Sequence, residues 1–273
     1  MRIALYTCAG SGRRSRYIAD AMRQGLLQHG INKVEVHNRF RGVCADIAIA
    51  YGWVHSLVFE AYEAAGGQYV YFDLGYWNRR PSTSPLDGHY RLAVNNWDTA
   101  KAMRRACPDD RFKRLGIRLK PPQLNGRDIV IASMSLKSAK THKFDIGEWE
   151  QAMRKRLSAM GLKFPIVQRP KPAKKQAPLP AIEHVLSTAR ILVTRHSNTA
   201  VDAMVSGVPF YAERGVGSLL SAKDLTCEMI ETPTFCNDVD RHQLLADIAY
   251  AQWTPPEMRS GEAWDHMRQL LCV

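Results

Sequence analysis

The sequence predicts an α/β protein of two similar units, each a parallel sheet with helices on both faces. Two observations carry that prediction. Short apolar runs alternate with longer amphipathic stretches along most of the 273 residues, which is the pattern of strand–helix–strand units. The alternation breaks at GIRLKPPQLNG (Gly116–Gly126), where two prolines and flanking glycines read as a linker, and then resumes. The expected division is therefore 1–118 and 119–273, two domains facing one another across a central cleft. Ligands of such sheets bind outside the carboxyl ends of the strands.

The elements follow in order. Met1–Thr7 reads as a strand, Gly10-Ser11-Gly12 as a loop, and Arg16–His29 as a helix ended by Gly30. Lys33–His37 and Asp46–Tyr51 read as strands, Val54–Ala65 as a helix closed by two glycines, and Gln68–Phe72 as a strand. Arg79–Gly88, rich in Pro, Ser and Thr, is irregular, and Trp97–Cys107 reads as a helix. Beyond the linker come a strand at Asp128–Ser133, a helix at Ile146–Met160 and a strand at Phe164–Gln168. Ala181–Thr188 is helical, Ile191–Thr194 is a buried strand, Thr199–Ser206 is a helix, and a strand starts at Val208. Helices near Arg241–Ala251 and Gly261–Leu271 complete the chain, with Tyr250, Trp253 and Trp264 packing them on the body.

Composition narrows the function classes. A hydrophobic share of 45% with 23% charged residues describes a globular chain. No apolar run approaches the roughly 20 residues of a membrane span, and the N-terminus reads as a strand rather than a leader, so a cytoplasmic chain is expected. The cysteines at 8, 44, 107, 227, 236 and 272 form no CxxC pair and read as reduced core residues, and no metal site is expected. The net charge of +12 is concentrated: residues 101–175 carry 20 Lys and Arg against 6 Asp and Glu. Such a field suits a polyanion such as nucleic acid or an anionic membrane surface, and also serves as a solvated surface.

The stretch ILVTRHSNTAVDAMVSG, Ile191–Gly207, carries the most chemistry. A strand that feeds a helix N-terminus makes an anion site, because the first amides lack intrahelical partners and the helix dipole favours negative charge there. Arg195 and His196 stand at that mouth, Ser197, Asn198 and Thr199 are capping residue types, and Asp202 lies one turn inside. The expected ligand is a phosphate or diphosphate. Arg169 and Lys171, in the stiff turn Arg169-Pro170-Lys171-Pro172, supply cations after another strand; Arg169 can fork onto a phosphate, or the run is a solvated loop. Glu213 reads either as a partner of a ribose hydroxyl pair or as a surface ion pair.

Other residues are less specific. Gly10, Ser11 and Gly12 resemble a phosphate loop without the Rossmann or Walker spacing, and read either as a tight turn or as the floor of a ligand cleft. Asp73 closes the apolar run YVYF. At a strand's carboxyl end beside Tyr71, Phe72, Tyr76 and Trp77 it reads as a desolvated general base, or else as a salt-bridge partner of Arg79 or Arg80. His37 and His55 are weaker alternatives. Ser133, Ser135, Lys137 and Lys140 follow the first strand of the second half and lie along the cleft or meet an external polyanion.

RHSNTAVDAMVSGVPF resembles the (H/N)S-x-x-x-(E/D)-A-(L/M)-x-x-G-x-P element of glycosyltransferases with two Rossmann-like domains (GT-B), and RPKP is similar to a basic turn of their capsule and lipopolysaccharide relatives. YVYFD is similar to the aromatic strand that ends in the catalytic Asp of phage DNA glucosyltransferases. The resemblance implies a nucleotide-sugar donor, UDP-linked in the first instance, with no bound cofactor or metal. Gly10, Ser11, Gly12, Arg169, Lys171, Arg195, His196, Ser197, Asn198, Thr199 and Asp202 would hold the donor, and Asp73 would be the base. With double-stranded DNA as acceptor, a hydroxymethylated base would take the sugar and Arg79, Arg80, Lys137 and Lys140 would meet the nucleic acid. A bacterial surface glycan or lipid is the alternative acceptor; a non-catalytic nucleic-acid-binding protein and a nucleotide-sugar epimerase are the other readings of the same architecture.

Overall fold

Ile3–Tyr6, the first apolar run, forms β1 inside a six-stranded sheet, and all four of its residues are buried. The structure is a computed structural model describing residues 1–7, 12–52, 55–79, 84, 86–134, 139, 144–171, 181–271 and 273. The chain separates into two units, Met1–Arg111 with Ala246–Val273, and Phe112–Leu245.

In the first unit β1 pairs in parallel with β2 (Val34–His37) and β3 (Ile47–Tyr51), and β3 with β4 (Gln68–Leu74). Residues of a strand alternate between faces, and the core divides accordingly. Ile3, Leu5, Ile47, Ile49, Val70 and Phe72 point to one face, where Ile18, Met22 and Leu26 of α1 (Gly12–Gln28) cover them. Ala4, Tyr6, Ala48, Ala50, Tyr69 and Tyr71 point to the other, against Val58, Phe59 and Tyr62 of α2 (Ser56–Ala64).

Two pairings of this sheet are antiparallel, which the alternation did not predict. β5 (Tyr90–Val94) pairs antiparallel with β4, and Gln252–Trp253 pairs antiparallel with β5. Among the described residues no helix lies between Leu74 and Tyr90; without a crossover the chain can only return antiparallel. The expected helix at Trp97–Cys107 shrinks to α3 (Thr99–Ala102), capped by Asp98, whose Oδ1 accepts from the Ala100 amide at 3.1 Å. The chain then turns to serve Asp247, which is fully buried. Arg105 Nε donates to Asp247 Oδ2 and the Cys107 amide to Oδ1, both at 2.8 Å. After α4 (Asp110–Arg114) the chain is in the second unit.

The last helices of the chain belong to this first sheet, although the sequence grouped them with the second half. Met258, Trp264, Met267 and Leu271 join the core beneath α1. Trp253 and Tyr250 enclose His266 at ring-centroid distances of 5.5 Å. Burial, aided by Arg104 and Arg111, pushes His266 down to about 4, and burial does the same for His55. Both are favoured neutral in the fold and protonate freely in the unfolded chain near pH 6.5. Their contribution is therefore complete above pH 6.5 and is lost as pH falls toward 4. Each should cost roughly 2.5 kcal/mol of stability at pH ~4.5. Urea denaturation at pH 7 and pH 4.5 measures this, and His266→Phe should remove about half of the combined loss.

The second unit has a four-stranded, wholly parallel sheet in the order β7-β6-β8-β9: Ile166–Arg169, Asp128–Ala132, Ala189–Thr194 and Phe210–Ala212. α5 (Ile146–Ala159) covers one face with Trp149, Met153 and Leu157 against Ile129, Ile131, Ile191 and Val193. α6 (Ile182–Thr188) and α7 (Thr199–Ser206) follow. α8 (Cys227–Glu231) comes next, and α9 (Asp238–Tyr250) carries the chain back to the first unit; α10 (Pro255–Arg259) and α11 (Glu262–Leu271) complete it.

The segment read as a linker is bound into this unit. The Lys120 amide donates to Val205 O at 3.0 Å and the Gln123 amide to Gly207 O at 2.7 Å. Gly207 ends α7 at φ 71°, and a Cβ there would land on the Pro121 carbonyl oxygen. Both the left-handed turn and the close approach require glycine. Arg241, 2% exposed, completes the clamp by donating to the Met204, Val205 and Lys120 carbonyls at 2.8–3.1 Å. A buried cation at the carboxyl end of α7 complements its dipole.

Candidate functional site

Strand register assembles a row across the carboxyl edge of the second sheet. Arg169 is opposite Ala132, Ala132 opposite Thr194, and Thr194 opposite Ala212. The chain leaves that row through Ser133, Arg195 and Glu213. Arg169, Arg195 and the start of α7 therefore share one edge, as the sequence anticipated. Lys171 is exposed two residues beyond β7.

Arg195 is held rather than free. Its guanidinium lies 4.1 Å from the ring centroid of Phe144, and Nη1 is 3.9 Å from Glu213 Oε2. Trp149 Nε1 donates to Glu213 Oε1 at 2.9 Å. Glu213 therefore couples two side chains of this unit. Sequence reading missed Phe144 and Trp149. Their signal was available: Asp145 caps α5 by accepting from the Glu148 amide at 3.0 Å, and apolar residues just before the cap and four positions into a helix form a staple.

His196 and Arg195 bend the chain between β8 and α7. A Cβ on Gly215 would come within 3.0–3.4 Å of the His196 ring, and Gly215 has φ 74°; the imidazole rests on bare backbone that only glycine offers there. Ser197 Oγ accepts from the Thr199 amide at 3.3 Å. Asn198 occupies the cap position without a side-chain cap bond. The Ala200 and Val201 amides already donate to Ser197 O and Asn198 O at 3.1 and 2.9 Å. The opening of α7 is thus partly closed on itself, and ligand recognition shifts from amides toward side chains. Among the described residues, the buried Thr199 Oγ1 and Arg169 Nε on this edge find no hydrogen-bond partner. Buried polar atoms are nearly always satisfied, so both are available to a ligand group. Asp202 stands in the first turn of α7, half-buried. Gln168 Nε2 donates to Ser133 Oγ at 2.9 Å, fixing the neighbouring β6 end.

The remaining sequence-derived residues lie in the first unit or outside the described residues. Asp73 sits on β4, opposite Arg91 of β5. Tyr71 Oη donates to its Oδ2 at 2.9 Å, Arg91 Nη2 lies 3.5 Å from Oδ2, and the Leu74 amide donates to Oδ1 at 2.8 Å. Among the described residues the ion-pair partner is Arg91 rather than Arg79. Burial first, then the Asp73 charge, hold the Tyr71 phenol well above its ordinary value, so it stays a donor. Arg79 Nε donates to the Tyr76 carbonyl at 3.2 Å. Gly12 opens α1. Gly10, Ser11, Arg80, Ser135, Lys137 and Lys140 lie outside the described residues. Among the described residues no cluster of three or more His, Cys, Asp or Glu could hold a metal ion, and no helix is long and apolar enough to cross a membrane.

No protein-family model matches the sequence, and no curated protein matches it. Solved structures do match. The chain is similar to "KpsC, beta Kdo 2,4 transferase" of Thermosulfurimonas dismutans, with a TM-score of 0.57 at 12% identity, over 99% of this chain and 98% of that one. The chain shares its fold with Kdo transferases. The beta Kdo 2,7 transferase of KpsC from the same organism gives a TM-score of 0.52 at 10% identity, over 96% of this chain and 99% of that one. The likeness is one of α/β fold along nearly the whole length.

Proposed function

We propose that this protein is a glycosyltransferase that moves a sugar from a nucleotide-linked donor to the hydroxyl of a bacterial surface glycan or lipid. The observation that carries the reading is the edge of the second sheet. There Arg169 and Arg195 stand on the edge from which α7 starts, and among the described residues the buried Thr199 Oγ1 and Arg169 Nε find no partner. Guanidinium groups and hydroxyls on a rigid edge neutralise the charge that a phosphate leaving group develops. The shared fold with two Kdo transferases supports the same reaction class. Asp73 is the base assigned to the acceptor hydroxyl. A DNA base as acceptor rests on the basic stretch 101–175 and the YVYFD run alone, and the fold likeness supports a glycan instead.

The test is a thermal-shift panel of nucleoside mono- and diphosphate sugars, since a ligand that binds only the folded state raises the melting point. At least one should shift it, and a silent panel refutes the reading. Arg169→Ala and Arg195→Ala should each weaken the responding donor about ten- to a hundredfold, the effect of losing a charge-assisted bond worth roughly 1.5–3 kcal/mol. Retention on duplex DNA that falls steeply with salt, together with DNA-dependent release of nucleotide, would move the acceptor back to DNA.

A further inference from the structure

At the carboxyl ends of β1 and β2 lies an open cavity of about 560 Å³, walled by Tyr6, Thr7, His37, Arg39, Arg41 and Cys44. Ligands gather at this end of parallel strands. Among the described residues, Arg39 and Arg41 make no ion pair or hydrogen bond. Phe40, between them, meets Tyr6 edge-on at 5.8 Å and packs on the core, so the loop that carries both cations is anchored. The local carboxylate is taken: Glu35 Oε2 lies 3.2 Å from His37 Nε2. His37 stacks on Tyr6 at 5.4 Å, which gives the cavity a fixed wall. Val36 and Val43 add apolar surface, 52% and 42% exposed. Cationic, hydroxylic and apolar groups on one cavity suit a polyhydroxylated ligand with a negative group, and the fixed wall lowers the ordering cost of binding it.

We propose that this cavity binds an anionic saccharide, a sugar acid or a sugar phosphate, with Arg39 and Arg41 on its charged group. The saccharide part rests on the transferase reading, whereas the negative charge rests on the two guanidinium groups. Cys44 reports occupancy. Its Sγ lies 3.6 Å from His37 Nε2 and 3.4 Å from Tyr6 Oη, and the thiol is free and exposed, contrary to the core role expected for the cysteines.

The experiment follows alkylation of Cys44 by neutral N-ethylmaleimide, quantified by peptide mass spectrometry, with exposed Cys227 as internal control. Glucuronate, glucose 6-phosphate and glucose are the probes. At ~10 mM an anionic probe should slow Cys44 alkylation about tenfold, as a dissociation constant near 1 mM requires. Glucose should not, and the Arg39→Ala/Arg41→Ala double variant should lose the protection. Protection by one anionic probe alone supports the proposal and names the source. Equal protection by glucose, protection that survives in the double variant, or none from either anion overturns it. Nucleotide-sugar shifts on the same protein separate the two readings: donors that bind while Cys44 stays unprotected sink the cavity proposal alone. Protection without any donor shift sinks the transferase reading alone.

Discussion

Asp73→Asn should lower sugar transfer by about 10²–10⁴-fold, the usual contribution of a positioned general base, while donor affinity stays unchanged. The substitution keeps the shape of the side chain and removes its ability to accept a proton. Oδ2 is held by Tyr71 Oη at 2.9 Å and approached by Arg91 at 3.5 Å, and Oδ1 accepts from the Leu74 amide at 2.8 Å. Three donors fix the orientation of the carboxylate, which favours acid–base work, and an ion-pair partner for the half-buried Arg91 has the same geometry. Arg91→Met separates the two roles. If Asp73 only neutralises Arg91, both variants lose stability and retain their turnover per folded molecule. If Asp73 is the base, Asp73→Asn loses turnover at full folding, and Arg91→Met retains most of it. Steady-state rates normalised to folded fraction, with donor titration alongside, give the answer.

The sequence made the parallel cores legible because their strands are short apolar runs with helices between them; Ile3–Tyr6, Ile47–Tyr51 and Ala189–Thr194 fall within two residues of where periodicity puts them. The antiparallel edge was not legible. Tyr90–Val94 follows a Pro- and Ser-rich stretch, and Gln252–Trp253 is too short to carry a period. What recruits the tail to the first sheet is tertiary: the partners of Arg105 and Arg111 lie more than 130 positions away in the chain. At the candidate site, Arg169, Arg195 and Ser197 were readable because a cation or a capping residue after a buried strand has few other uses. Glu213 was legible only as two alternatives. Its bonds to Trp149 and Arg195 depend on where α5 lies over the sheet, which no local pattern encodes. Arg241 behind α7 escaped notice for the same reason.

Arg111→Ala should destabilise the first unit by about 3–5 kcal/mol, the cost of leaving one member of a buried pair alone. Arg111 is 5% exposed. Its Nη1 and Nη2 donate to Glu257 at 2.7 and 3.2 Å, and Nε and Nη2 donate to the Ala249 and Gln252 carbonyls at 3.2 and 2.9 Å. The guanidinium also lies 3.7 Å from the Trp253 ring centroid. Glu257 in turn closes the capping box of α10 with Thr254. One residue before the chain leaves the first unit thus fastens the returning strand and the helix after it. Burial raises the Glu257 carboxyl, but the Arg111 bonds and charge and the Thr254 donors outweigh it, and the net position is below the ordinary value. A carboxylate depressed in the fold contributes its stability above the ordinary carboxylate range and loses it as pH falls through that range. The Arg111→Ala penalty should therefore be largest near neutral pH and begin to shrink as pH falls through the ordinary carboxylate range, where protons start to compete with the arginine for Glu257. Urea melts of both proteins at pH 7 and pH 4 test this. A penalty that is constant with pH would mean that the arginine acts through its carbonyl and ring contacts alone. Arg111→Lys keeps the charge without the fork that spans carboxylate and carbonyls, so it should recover only part of the loss.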